Sequence, residues 1–124
     1  MRVTGLDHVV LNVADPEASA RWYADTLGLA IERLEEWRAG SAPFVSVRID
    51  ATTIIDMFEA EATGKNVDHV ALVVDNDVDL DALADSGTVD VVRAPARLWG
   101  ARGWGRGLYL RDPDGHVVEL RQYD

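Results

Sequence analysis

The 124-residue sequence predicts an α+β fold made of two βαβββ modules. Three observations lead there. The run LDHVVLNV, beginning at Leu6, returns as VDHVALVV beginning at Val67. Each copy is followed by one segment of helical spacing and then by three strand-like runs. Each copy also carries a histidine at its third position, His8 and His69. Self-similarity at this scale is the signature of a duplicated supersecondary unit.

The elements follow in order. LDHVVLNV alternates and is rich in valine, as a half-buried strand should be. It ends at Ala14-Asp15-Pro16, where Asp15 suits a helix N-cap and Pro16 its first turn. PEASARWYADTLGL places Ala18, Trp22 and Leu27 in roughly helical spacing, and Gly28 is the expected stop. Three strand-like runs come next, LAIERLEEW, FVSVRI and TTIIDMF, separated by Ala39-Gly40-Ser41-Ala42-Pro43 and by Asp50-Ala51. EAEATGKN links the halves, giving one domain with modules at about 4–60 and 66–124. In the second half VDHVALVV precedes the helix-like VDLDALADSG, which has Val78, Leu80 and Leu83 to bury, and then VDVVRA, RGLYLRD and HVVELRQ.

The repeat turns the histidines into a pattern. Superposing the halves lays TTIIDM over GHVVEL, so Asp56 falls opposite Glu119, and each half supplies one imidazole and one carboxylate. Strand alternation puts His8 with Leu6, Val10 and Asn12, away from the apolar face of Val9, Leu11 and Val13. Asp56 lies with Ile54 and Phe58, and Glu119 with Val117 and Arg121. A lone buried carboxylate is costly, and a shared cation would neutralise both acids and accept both imidazoles. His8, Asp56, His69 and Glu119 are therefore the expected metal ligands. Such nitrogen and oxygen donors suit Fe, Zn, Ni, Mn or Co better than calcium or magnesium.

Composition narrows the rest. There are no cysteines, so neither disulfides nor thiolate-bound zinc contribute. With 12 basic against 22 acidic side chains, the net charge of −10 opposes nucleic-acid binding. No signal-peptide pattern or membrane-length apolar run is present, so a cytoplasmic location is expected. RLWGARGWGRG, from Arg97 to Gly107, carries four glycines with Trp99 and Trp104 and with Arg97, Arg102 and Arg106. It reads as a flap over the site that selects an aromatic or anionic ligand, or as a loop whose tryptophans pack at an interface.

LDHVVLNVADPEASARWYADTLGL resembles the opening of the vicinal oxygen chelate superfamily, and GLYLRDPDGHVVEL resembles its closing motif. That superfamily includes glyoxalase I, fosfomycin-resistance enzymes, extradiol dioxygenases and bleomycin-resistance proteins. The resemblance implies a curved mixed sheet enclosing a cup-shaped site, helices on its outer face, a divalent metal ion in the cup and a homodimer. It puts metal ligands at His8, His69 and Glu119, with Asp56 at a position where glyoxalases more often carry glutamate. Tyr109 matches a substrate-facing tyrosine ten residues before the closing glutamate. His116 falls in the DPDGH turn and is expected to be exposed.

Three function classes follow. A glyoxalase-like lyase or isomerase would polarise a small oxygen-bearing substrate chelated through two oxygens, with Glu119 or Asp56 moving a proton and Tyr109 at the substrate. An extradiol-type Fe(II) dioxygenase would use His8, His69 and Glu119 as an open triad. A bleomycin-resistance-like binding protein would need a metal-free apolar cup, against which both His and acid pairs argue. Val10, Asn12, Phe58, Trp99, Arg102, Trp104 and Arg121 are the expected substrate-binding residues. Val10 also stands where fosfomycin-type transferases carry threonine, which disfavours that chemistry.

Overall fold

The computed structural model describes residues 1–111 and 115–124, apart from the side chain of Leu27. The apolar role expected of Leu27 and the Asp112 to Asp114 part of the closing motif lie outside the described residues. The order is β1 (Val3–Val13), α1 (Pro16–Leu27), β2 (Ala30–Glu32), α2 (Leu34–Arg38), β3 (Val45–Arg48), β4 (Ile54–Glu59), β5 (Val67–Val74), α3 (Leu80–Asp85), β6 (Asp90–Gly100), β7 (Gly103–Arg111) and β8 (Val117–Gln122). This is the expected βαβββ order twice, with α2 added. Parallel and antiparallel strand pairings both occur. The chain divides into two compact units, Val9–Asp68 and Met1–His8 with His69–Asp124. Both divisions cut beside the repeated histidines rather than at the EAEATGKN link.

In the unit Val9–Asp68 the strand order is β2-β3-β4 followed by the second part of β1. Asp15 caps α1 by accepting from the Ala18 N–H at 3.1 Å. Gly28 ends it in the left-handed region (φ 73°), where glycine carries no Cβ penalty. The buried face differs from the expected one. Ala20 and Tyr23 pack with Val45, Val47, Met57, Leu11 and Val13, whereas Trp22 is 54% exposed and lies edge-on to Tyr23. The helix turns by its fit to β3 and β4, which the spacing of apolar residues alone did not fix.

LAIERLEEW is also not one strand. Arg33 takes a positive φ of 61°, which ends β2, and LEEWR winds into α2. Leu34 and Trp37, three apart, reach the same apolar cluster. Burial wins over the strand-like alternation of that run.

In the other unit the order is β1-β5-β8-β7-β6, with β5 and β8 parallel and β8, β7 and β6 antiparallel. The six-residue α3 is capped by Asp79, whose side chain accepts from the Ala82 N–H at 2.9 Å. So short a helix is marginal alone. Full burial of Leu80 against Val74, Leu108 and Leu120 supplies about 1.5–3 kcal/mol, enough to hold it in place. Val78 and Leu83 join that cluster, as expected.

The flap expected over Arg97 to Gly107 is instead a paired hairpin. Its ladder runs from Ala96↔Gly107 through Arg97↔Arg106, Leu98↔Gly105 and Trp99↔Trp104 to Gly100↔Gly103. The glycines serve close approach more than freedom. A Cβ at Gly100 would collide with Tyr123 and Arg121, and one at Gly107 with Glu119.

Candidate metal centre

Each donor is placed by a strand of the second unit. His8 comes from β1, His69 from β5 and Glu119 from β8, where Glu119 pairs in register with Ala71 and with Tyr109. All three side chains are buried. Val118 and Leu120, its neighbours on β8, turn to the α3 cluster, so alternation sends Glu119 to the opposite face.

The donor atoms converge. His8 Nε2 and His69 Nε2 are 3.0 Å apart, and each lies 3.3 Å from Glu119 Oε2. Oε2 is buried and, among the described residues, has no hydrogen-bond partner of good geometry. Ligand distances of about 2.0–2.2 Å place adjacent donors about 2.8–3.5 Å apart at angles of about 90–110°. The three separations fit one divalent cation of the Fe, Zn, Ni, Mn or Co class, and an oxygen atom otherwise without a partner fits a ligand role.

The surrounding charges hold this arrangement. Arg121 Nη1 donates to Glu119 Oε1 at 2.5 Å and to Trp99 O at 3.2 Å, and Nη2 donates to Leu98 O at 2.9 Å. Burial alone would raise the Glu119 carboxyl. The adjacent His69 and His8 and the Arg121 guanidinium outweigh it and keep that carboxyl far below its ordinary value. Burial and the Glu119 charge push the half-buried Tyr109 phenol well above its ordinary value, so it stays protonated. Its ring meets the His69 ring edge-on, with centroids 5.1 Å apart.

Asp7 is the residue that the pattern of apolar positions did not single out. It is fully buried, and its Oδ2 lies 2.6 Å from His8 Nδ1. Alternation assigns it to the face opposite His8, yet the two side chains meet. The repeated Asp-His dipeptide was the available signal. Arg121 was expected at the substrate, but it is wholly buried, with its Nη groups spent on Glu119 and two backbone carbonyls.

Trp99 and Trp104 were also expected at the substrate. Gly107 faces Glu119 Oε1, so the alternate residues Trp104 and Arg106 point to the α3 face, where Arg106 pairs with Asp81 at 2.6 Å. Trp99 and Arg97 stand opposite them across the ladder and share that face. The two indoles meet edge-on at 5.6 Å, and the Arg97 guanidinium lies 5.3 Å over Trp104. Arg97, Trp104, Gly105, Arg106 and Asp124 line a recess there. Arg102 sits in the hairpin turn, exposed, 4.8 Å over the Tyr123 ring.

The remaining expected residues lie in the unit Val9–Asp68. Asp56 is buried, and its Oδ1 accepts from Ser46 Oγ at 2.5 Å and Arg33 Nη2 at 2.6 Å. The grouped donors among the described residues are His8, His69 and Glu119, three rather than the four expected. Val10 is fully buried, and Asn12 Nδ2 donates to Lys65 O at 3.1 Å. Phe58 is partly exposed and edge-on to Phe44. His116 is exposed, as expected. No helix among the described residues is long and apolar enough to cross a membrane.

Comparison with known proteins places this geometry in a family. Residues 5–120 match the Glyoxalase/Bleomycin resistance protein/Dioxygenase superfamily. A virulence protein of Salmonella typhimurium is 27% identical, over 99% of this chain and 87% of its own. A glyoxalase domain-containing protein of Mycosarcoma maydis is 26% identical, over 99% of this chain and 70% of its own. A Mn(II)-bound glyoxalase from Novosphingobium aromaticivorans has a TM-score of 0.69 and 26% identity, and the match covers 97% of this chain but 39% of that protein. Methylmalonyl-CoA epimerase of Streptomyces coelicolor shares the fold at a TM-score of 0.66 and 23% identity, covering 97% of each chain. The matched span, the duplicated βαβββ order and the His8, His69 and Glu119 cluster agree: this chain belongs to the Glyoxalase/Bleomycin resistance protein/Dioxygenase superfamily.

Proposed function

We propose that this protein is a divalent-metal-dependent enzyme of lyase or isomerase type, acting on a small oxygen-bearing molecule bound to the metal through two oxygens. One observation carries the reading: three buried donor atoms lie 3.0–3.3 Å from one another, and among the described residues the group has three protein ligands. Three ligands leave coordination positions for a substrate. A divalent cation held there would supply Lewis acidity to the substrate oxygens.

The chain's own groups have separate parts. His8 and His69 offer neutral nitrogen donors, and Glu119 offers Oε2 while Arg121 retains Oε1. Displaced from the cation, Glu119 Oε2 would be the group that exchanges a proton with a substrate carbon. Tyr109, kept protonated beside His69, can donate a hydrogen bond to a substrate oxygen. The likeness to a glyoxalase that binds Mn(II) supports this reading.

A second reading is favoured by the donor count. Two histidines and one carboxylate are the set of non-haem Fe(II) oxygenases, which points to an extradiol-type dioxygenase. Metal analysis of protein purified without added ions, followed by assays with and without O₂, separates the two. Bound Mn, Ni or Zn with O₂-independent turnover supports the lyase or isomerase. Bound iron with O₂ consumption replaces it with the dioxygenase. Failure to bind any of these ions at millimolar concentration overturns both and favours a bleomycin-resistance-like binding protein.

A further inference from the structure

We propose that Asp7 is a positioning residue that presents His8 to the metal with its Nε2 bare, and that Tyr123 and the β6–β7 turn hold Asp7 in that position. The proposal rests on the metal-binding reading above. His8 Nδ1 lies 2.6 Å from Asp7 Oδ2, and both side chains are buried. An ionised carboxylate only accepts, so Nδ1 carries the imidazole proton and the Nε2 lone pair faces His69 Nε2 and Glu119 Oε2. A neutral imidazole with a free Nε2 is the form a metal takes.

Asp7 is itself fixed on both oxygens. Oδ2 also accepts from the Ala101 N–H at 3.0 Å, and Oδ1 accepts from the Tyr123 hydroxyl in a short hydrogen bond. The Tyr123 ring lies beneath two guanidinium groups, Arg102 at 4.8 Å and Arg121 at 5.1 Å. A carboxylate with both oxygens held cannot swing away from His8, so the hairpin turn and the residue that follows β8 brace a ligand on β1.

The repeat provides an internal comparison. Asp68 precedes His69 as Asp7 precedes His8, in the same Asp-His-Val context, yet Asp68 is exposed. The dipeptide alone therefore does not bury its acid. Asp7 is buried where it meets the Ala101 N–H and Tyr123.

Two variants and two measurements test this. In metal-free wild type, imidazole ¹⁵N spectra, with only three histidines to assign, should show His8 protonated at Nδ1 and not at Nε2. Asp7→Asn should mix the tautomers and weaken Mn(II) binding about 10–100-fold, the usual effect of losing an outer-shell partner. Tyr123→Phe keeps the shape, carries the test if Asp7→Asn does not fold, and should weaken Mn(II) by about tenfold, the low end of that range. A folded Tyr123→Phe or Asp7→Asn with unchanged tautomer and unchanged Mn(II) affinity overturns the proposal, as does mixed His8 protonation in wild type. A wild type with the Nδ1–H tautomer that binds no divalent cation supports the action of Asp7 on His8 and overturns only the reading of the site as a metal centre.

Discussion

Gly107 lies against Glu119: a Cβ at position 107 would sit 2.5 Å from Glu119 Oε1 and 3.0 Å from Leu98 Cδ1. The absent side chain at 107 makes room for the carboxylate and the Arg121 guanidinium bonded to it. Gly107→Ala should therefore move Glu119 and cost about 1–3 kcal/mol by overpacking. Mn(II) titration and urea denaturation should both register the change. Gly5→Ala, at a β1 site with nothing within 4 Å of the added carbon, should alter neither by a comparable amount.

Removing a donor should separate binding from folding. His69→Ala is expected to lower Mn(II) affinity by more than about 100-fold, beyond the loss typical of outer-shell residues. The circular dichroism spectrum should stay that of the wild type, because the apolar cluster of Val74, Leu80, Leu108 and Leu120 does not include His69. A variant that unfolds, beside a wild type that binds no ion, would identify His69 as a core residue.

Asp56 should behave oppositely. Arg33 already compensates its charge, and Ser46 donates to the same oxygen. Asp56→Asn is expected to destabilise the protein by about 1–3 kcal/mol through a half-buried guanidinium left without its acid. Its Mn(II) affinity should hold near the wild-type value. A collapse in affinity with stability retained would restore Asp56 as a fourth ligand.

The tryptophans offer a test of which face they serve. Trp99→Ala and Trp104→Ala should leave Mn(II) affinity unchanged, since strand alternation turns both away from Glu119. Each should lower stability by about 1 kcal/mol, the scale of one edge-to-face aromatic pair. A large fall in metal affinity with no change in stability would place the hairpin's outer face at the site after all.

The sequence by itself determined the duplicated βαβββ order and singled out the three residues of the candidate metal site. Both are local or periodic properties. A strand's two-residue period assigns Glu119 a face without reference to any other strand, and the repeat then pairs His8 with His69. Capping chemistry similarly fixed the start and stop of α1 at Asp15 and Gly28. Only the tertiary structure decided what the glycines of β6 and β7 are for, which face Trp99 and Trp104 occupy, and that Arg121 braces Glu119. It also decided that Asp7 and not Asp68 is buried. Each of these depends on hairpin register or on contacts between residues far apart in the chain, such as Asp7 with Ala101 and Tyr123. Register is set by the pairing of whole strands against a packed core, so no short window of sequence contains it.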